Sequence, residues 1–375
     1  MIQLYILLSL CLLLAWFSEN KEKHCLHNAL QYRLRQDWAY CGLVVVLTLF
    51  AGLRTSYNDT GNYLSLFQTA PGLRHFLEDP NNLNPFRNPL FYAYQALIRS
   101  TLNNGQFLVF STSVFTQICF IRFFKRYSSS FTFSIFIYIT LGTFVFSMAA
   151  IKQVVAMAIL TLAFPYLERR QYIPFFLLVL LAMLFHTYAL TFIFLPLFSD
   201  RPWKPFTFLF IGITFMILIN FQDAFTSFMD QANDLGKVLS EEEIFDDHSV
   251  NVFRLLVYMV VPAMTLIFQR WLFLDSSSMD HVLVHMSIIS MAFMILGTES
   301  GANMFGRMAT YFELGTICCL PWALDKIFDK PSARIIRRFA VVCFLGYFTY
   351  AYGVSLDFGA DYRAMTLWQF LASFF

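Results

Sequence analysis

Apolar residues in this chain come in long runs, and most of the charged residues fall between them. The runs lie at about 1–17, 38–53, 106–124, 131–149, 152–167, 172–186, 187–198, 205–222, 252–270, 280–298, 308–325 and 339–355. Such runs suit membrane helices, which satisfy their own backbone polar groups and need roughly 17–25 apolar residues to cross the hydrocarbon layer. The run 187–198 is short and reads as a broken or re-entrant piece. The pattern predicts an all-α integral membrane protein with about 12 transmembrane helices, a single polytopic domain over 1–375. Two long segments interrupt it: 54–105, with an interfacial helix expected over Tyr63 to Glu78, and the acidic 223–251. The end of the chain, 356–375, is expected to form an interfacial helix.

One pair of runs carries more than span length. Lys152 opens the first, His186 closes the second, and Glu168, Arg169 and Arg170 join them. Lys152 and Glu168 are 16 positions apart, and Tyr172 and His186 are 14 apart. Helical arms of about 21 to 24 Å therefore return His186 to the level of Lys152. An ammonium beside a helix start and an imidazole able to take up a proton then share one membrane face. That combination suits an anion and a proton transfer.

Composition agrees with the pattern. With 58% hydrophobic and 13% charged residues over 375 positions, a water-soluble core could not hide the apolar surface. The net charge of +2 and the lack of a basic tail give no sign of nucleic acid. The seven cysteines show no metal spacing and read as small core residues. The first run has no basic residues before it and four after it, Lys21, Lys23, Arg33 and Arg35, so it reads as a span with its N-terminus outside rather than a cleaved signal peptide. Twelve spans then leave both termini outside.

This orientation puts seventeen of the 26 Lys and Arg residues on the cytoplasmic side, mostly in short loops, as the positive-inside rule expects. The nine outside are Arg54, Arg74, Arg87, Arg99, Lys152, Lys237, Arg254, Arg307 and Arg363. Of these, Arg54, Lys152, Arg254 and Arg307 abut a span, where a cation either faces a cavity or an anion, or snorkels to lipid phosphate.

Three groups could carry chemistry. In the first, Arg54 either binds phosphate with Asp59 positioning it, beside Tyr63, or staples the loop through a local ion pair. The second is Lys152 with Gln153, joined by His186 because of its level; alone, His186 would be a hydrogen-bonded core residue. In the third, Glu299 precedes Arg307 and Tyr311, which share a helix face, and Glu313 is either the buried partner of Arg307 or part of a proton path. The segment 223–251 holds eight acids against Lys237 alone, which would repel a diphosphate and suits a lid or a glycan-facing surface. Within it Asp246, Asp247 and His248 are adjacent, and adjacent residues rarely converge on one metal ion. No P-loop, GxSxG, HExxH or paired CxxC occurs, so nothing points to nucleotide hydrolysis, acyl-serine or zinc chemistry. No two matching halves with discontinuous helices suggest a transporter.

Taken in order, Arg54 with Asn58-Asp59 and Asn62-Tyr63, then Lys152-Gln153-Val154-Val155-Ala156, then Leu184-Phe185-His186-Thr187-Tyr188-Ala189-Leu190, then Arg307-Met308-Ala309-Thr310-Tyr311-Phe312 resemble a known family. It is the EpsG family of polysaccharide polymerases, similar in role to the Wzy-type O-antigen polymerases, and the resemblance covers about residues 40 to 315. Two positions depart from it: Lys152 stands where Arg is common, and Asn58 where a Gly precedes the Asp. Lysine keeps the charge and loses the bidentate fork.

The resemblance implies a glycosyltransferase of the bacterial cytoplasmic (inner) membrane. It would polymerise undecaprenyl-diphosphate-linked repeat units on the extracytoplasmic face, moving the growing glycan onto the sugar of an incoming unit. In that chemistry Arg54, Lys152, Gln153 and Arg307 would bind the diphosphate, and Asn62, Tyr63 and Tyr311 the glycan. His186 would take the acceptor proton, with Asp59 or Glu299 in reserve. The scheme needs no metal and no other cofactor. Implied partners are the polyprenyl-diphosphate-linked glycan, the lipid bilayer, a chain-length regulator and a flippase. Three other readings stay open: an O-antigen ligase-type glycosyltransferase, a flippase for lipid-linked oligosaccharide, and a purely structural partner of an assembly complex. Arg54, Lys152, His186 and Arg307 are expected to meet at one hollow open to lipid.

Overall fold

The computed structural model describes residues 1–25, 37–220, 250–298 and 302–374. Glu299 and nearly all of the acidic segment 223–251, Val250 and Asn251 excepted, lie outside the described residues.

Helices α1 (Ile2–Cys25) and α2 (Trp38–Gly52) lead to the strand β1 (Arg54–Ser56). The segment 54–105 continues as α3 (Thr60–Thr69), α4 (Leu73–Glu78), two 3₁₀ turns and α5 (Pro89–Thr101). The single helix expected over Tyr63 to Glu78 is thus two. Pro71 disfavours the α conformation for the residue before it, and Ala70 is extended at φ −61°, ψ 139°. Next come α6 (Gly105–Tyr127), α7 (Phe131–Thr140), α8 (Thr143–Ala149), α9 (Ile151–Glu168), α10 (Tyr172–Phe185) and a 3₁₀ helix, Thr187–Phe198. They are followed by α11 (Pro205–Ile219), α12 (Val252–Ile267), α13 (Gln269–Leu272), α14 (Ser278–Leu296) and α15 (Ala302–Ile327). The last elements are α16 (Lys330–Thr349) with a π turn over Tyr350–Ser355, α17 (Phe358–Asp361), β2 (Arg363–Ala364) and α18 (Leu367–Ala372).

Among the described residues, five helices are long and apolar enough to cross a membrane, or six if the bent pair α7 and α8 counts as one span. Twelve apolar runs do not become twelve such helices, and two causes are visible. The apolar helices α2 and α10 have only 15 and 14 residues, about 21 to 23 Å against a hydrocarbon layer of about 30 Å. The run 131–149, expected as one span, bends by 52° at its break. Gly142 causes the bend: its φ of 102° is open to glycine, and a Cβ there would overlap the hydroxyl of Tyr352. The run 187–198 shows the opposite effect. Its 12 residues wound as a 3₁₀ helix rise about 2.0 Å each, so it reaches about 24 Å where an α-helix would reach about 18 Å.

The tail also differs from expectation. In place of one interfacial helix it has α17 and α18 separated by β2, which pairs antiparallel with β1 so that Arg54 faces Ala364. The N–H of Asn58 donates to Asp361 at 2.7 Å and the Tyr362 hydroxyl donates to the Phe50 carbonyl at 2.8 Å. The tail therefore fastens the start of the 54–105 segment.

Two helical hairpins place the site. In the first, Arg170 takes the left-handed conformation (φ 56°) and reverses the chain between α9 and α10, while Arg126 pairs with Glu168 at 2.8 Å at that closed end. In the second, α14 and α15 pack through Gly315, where a Cβ would stand 2.6 Å from the Cβ of Met286, and the Ser290 hydroxyl donates to the Ala309 carbonyl at 2.8 Å. Small residues permit this backbone approach between membrane helices. Gly315→Ala should separate the pair and cost about 1–3 kcal/mol, as overpacking does. Thermal unfolding in detergent measures it; an unchanged midpoint would show that the contact is not tight.

Candidate functional site

Lys152 stands on the first turn of α9. Ala150 leaves the helical conformation just before it (φ −101°, ψ 67°), so α9 starts afresh with its first N–H groups turned to this end of the bundle. Lys152 Nζ donates to the Tyr92 hydroxyl at 3.2 Å and lies 5.2 Å from that ring's centre. Among the described residues no carboxylate pairs with it.

The α9–α10 hairpin brings His186 to the same end. His186 follows α10 in an extended conformation (φ −157°, ψ 117°), and its Nδ1 shares a hydrogen bond of 2.9 Å with the Tyr311 hydroxyl. The ring also meets Tyr188 edge-on at 5.1 Å. The next residue is clamped: the Thr187 N–H donates to Asn88 Oδ1 at 3.1 Å and its hydroxyl donates to the Phe86 carbonyl at 3.0 Å. Bonds to α15 and to the 54–105 segment thus hold the imidazole in place.

Gln153 joins α9 to α15. Its side chain is 1% exposed and donates to the Arg307 carbonyl at 2.6 Å, while its Oε1 has no protein partner. Arg307 lies one turn before Tyr311 and is half-buried. Among the described residues its guanidinium makes no hydrogen bond or ion pair. The Tyr63 hydroxyl sits beside the backbone of Lys152, within reach of the charges of Arg307 and Asp59. Burial pushes Tyr63 up to about 12, so it remains a neutral hydroxyl at physiological pH. Tyr63, Lys152, Gln153, His186, Arg307 and Tyr311 therefore gather at one end of the bundle.

Arg54 and Asp59 border the cluster through Tyr63, and Glu313 lies apart from it. Arg54 is fully enclosed: Nε donates to the Thr60 hydroxyl at 3.0 Å, and Nη1 to the Ser113 hydroxyl at 3.2 Å and to the Ala51 carbonyl. Burial pulls its pKa down to about 10, which still leaves it charged. It fastens the exit of α2 through hydroxyls and a carbonyl; the ion pair with Asp59 does not form. Asp59 is half-buried at the start of α3 and Asn62 is exposed. Glu313 is not the partner of Arg307. It sits about 120° around α15 from Arg307 and lines a separate cavity with Arg254.

An apolar hollow of about 580 Å³ adjoins the cluster, lined by Tyr94 and Phe115 on one side and Val155, Ile159, Leu181 and Phe185 on the other. It lies between α5, α6, α9 and α10; Val155 is three residues from Lys152, and Phe185 is next to His186. Tyr92 and Asn88 were not legible as site residues, because nothing in a polar stretch marks which tyrosine will face a lysine sixty residues away or which asparagine a threonine ninety-nine residues away. Arg254 and Glu313 were visible as charges in apolar runs, but their shared cavity was not.

Two cations without carboxylate partners, a hydroxyl-bound imidazole and an apolar hollow together suit an amphipathic anion. A family model described as the EpsG family matches residues 37–365. No curated protein and no solved structure matches the chain.

Proposed function

The chain belongs to the EpsG family, a Wzy-like family of polysaccharide polymerases, and we propose that it joins polyprenyl-diphosphate-linked saccharide units outside the bacterial cytoplasmic membrane. The observation that carries this reading is the set of two cations without carboxylate partners, Lys152 and Arg307, beside the His186–Tyr311 pair, with the apolar hollow next along α9 from Lys152.

The donor's diphosphate is held between Lys152 and Arg307. As the bond between the anomeric carbon and the diphosphate oxygen breaks, the electron pair leaves with the diphosphate, and both cations stabilise the charge that collects there. The acceptor hydroxyl attacks the anomeric carbon and gives its proton to the His186 imidazole, which Tyr311 keeps in orientation. Tyr63 donates to a phosphate or sugar oxygen at the same place. The prenyl tail lies in the hollow between α6 and α10, where burial of each CH₂ contributes about 0.8 kcal/mol. Arg54 supports the site from outside it.

The test is a gel ladder made by purified protein from a lipid-linked repeat unit. A ladder of increasing lengths supports polymerisation, whereas one transfer to a different acceptor identifies a ligase. Filling the hollow should act on the lipid alone: Val155→Trp is expected to raise KM for the lipid-linked unit about tenfold with kcat within about threefold, as lost uniform binding does. An unaltered KM removes the hollow from the lipid path.

A further inference from the structure

The cavity between α12 and α15 is separate from the cation cluster, and its chemistry differs. Its volume is about 310 Å³, and Gly142, Arg254, Tyr258, Thr310, Glu313 and Tyr347 are among the residues that wall it. Glu313 is 2% exposed, with Tyr258 and Thr143 flanking its carboxylate. The Arg254 guanidinium lies 5.8 Å from the Tyr258 ring centre. It also rests against Gly306, where a Cβ would stand 3.6 Å from Nη1, and Gly306 immediately precedes Arg307. Among the described residues no ion pair joins Arg254 to Glu313; the Tyr258 hydroxyl lies between them, within hydrogen-bond reach of both.

One cation and one anion cancel, so this cavity has no excess charge to attract a diphosphate. It offers a carboxylate to accept from hydroxyls, a guanidinium to donate to them, further hydroxyls, and aromatic walls for an apolar ring face. A small neutral polyol matches that set. The volume is at the lower end of small-molecule sites, about 300–1,000 Å³, which suits a sugar ring better than an extended chain.

We propose that this cavity is a neutral-sugar subsite that holds one residue of the acceptor glycan; the proposal rests on the polymerase reading. The donor's reacting end is fixed by its diphosphate. The acceptor reacts at its far end, away from its own diphosphate and without charge, so it needs a neutral site close to the cations. The geometry supplies one: at about 100° per residue, Thr310 lies about 60° and Glu313 about 120° around α15 from Arg307, on the side away from Tyr311.

The experiment uses full-length protein in detergent and two probes. One is the free repeat-unit oligosaccharide, hydrolysed from the polymer that the native cells make; the other is farnesyl diphosphate. Glu313→Gln is expected to weaken oligosaccharide binding at least tenfold and leave farnesyl diphosphate binding within twofold; Arg307→Ala should do the reverse. Asn251→Ala, at the exposed rim of the cavity, should also weaken the oligosaccharide and serves if Glu313→Gln does not fold. The proposal is overturned if the wild type does not bind the oligosaccharide, or if the folded cavity variants bind it as the wild type does. Farnesyl diphosphate binding indifferent to Arg307→Ala would instead overturn the cation reading and leave the sugar subsite to stand on its own result.

Discussion

Arg307→Ala is expected to abolish long-chain polymer, lowering the rate of sugar transfer by about 10²–10³, the usual effect of removing one group that stabilises developing negative charge. The fold should survive this change. The bond that ties α15 to α9 at this level runs from Gln153 to the Arg307 backbone carbonyl, which alanine keeps. Among the described residues the guanidinium itself holds nothing in place, so its loss is electrostatic rather than structural. The variant should insert normally while lipid-linked repeat units accumulate. Chain-length distribution on a gel checks it, and normal lengths at normal protein level would remove Arg307 from the site.

His186→Ala should have the next largest effect, about 10²–10⁴ in the rate constant for transfer if the imidazole takes the acceptor proton. The pH dependence has a definite sign. A base works only when unprotonated, so the wild-type rate should rise with pH as the imidazole loses its proton and then level off. In His186→Ala this rising limb should vanish. Tyr311→Phe removes only the 2.9 Å hydrogen bond. It should cost about tenfold and move the limb without abolishing it, because the ring loses its orientation and keeps its nitrogen. A wild-type profile with no such limb, or one retained in His186→Ala, would assign the proton transfer to another group, Asp59 being the nearest alternative.

The apolar runs were legible because burial in lipid is a property of composition: a run must be apolar whatever it packs against. The hairpin that returns His186 to Lys152 was legible too, because it depends on two counts and a constant rise. Span length was not. Gly142 could be read as glycine, but its left-handed conformation and the 52° bend follow from how Tyr352 packs against it. The extended reach of Thr187–Phe198 depends on a 3₁₀ winding that no periodicity announced.

The candidate site divides in the same way. Arg54, Lys152, His186 and Arg307 could all be picked out as polar groups at the margins of apolar runs, and three of the four face the same end of the bundle. Arg54 does not, because its guanidinium finds hydroxyls on α3 and α6 before it finds open space. Glu313 looked like a partner for Arg307 because it is close in sequence, whereas helix rotation turns it toward Arg254. By itself the sequence determined which residues must avoid lipid and roughly how deep each would lie, since both follow from transfer energy and helical rise. Only the tertiary structure decided which of those polar residues face one another, because facing depends on the rotation and crossing of packed helices, and side chains far along the chain fix both.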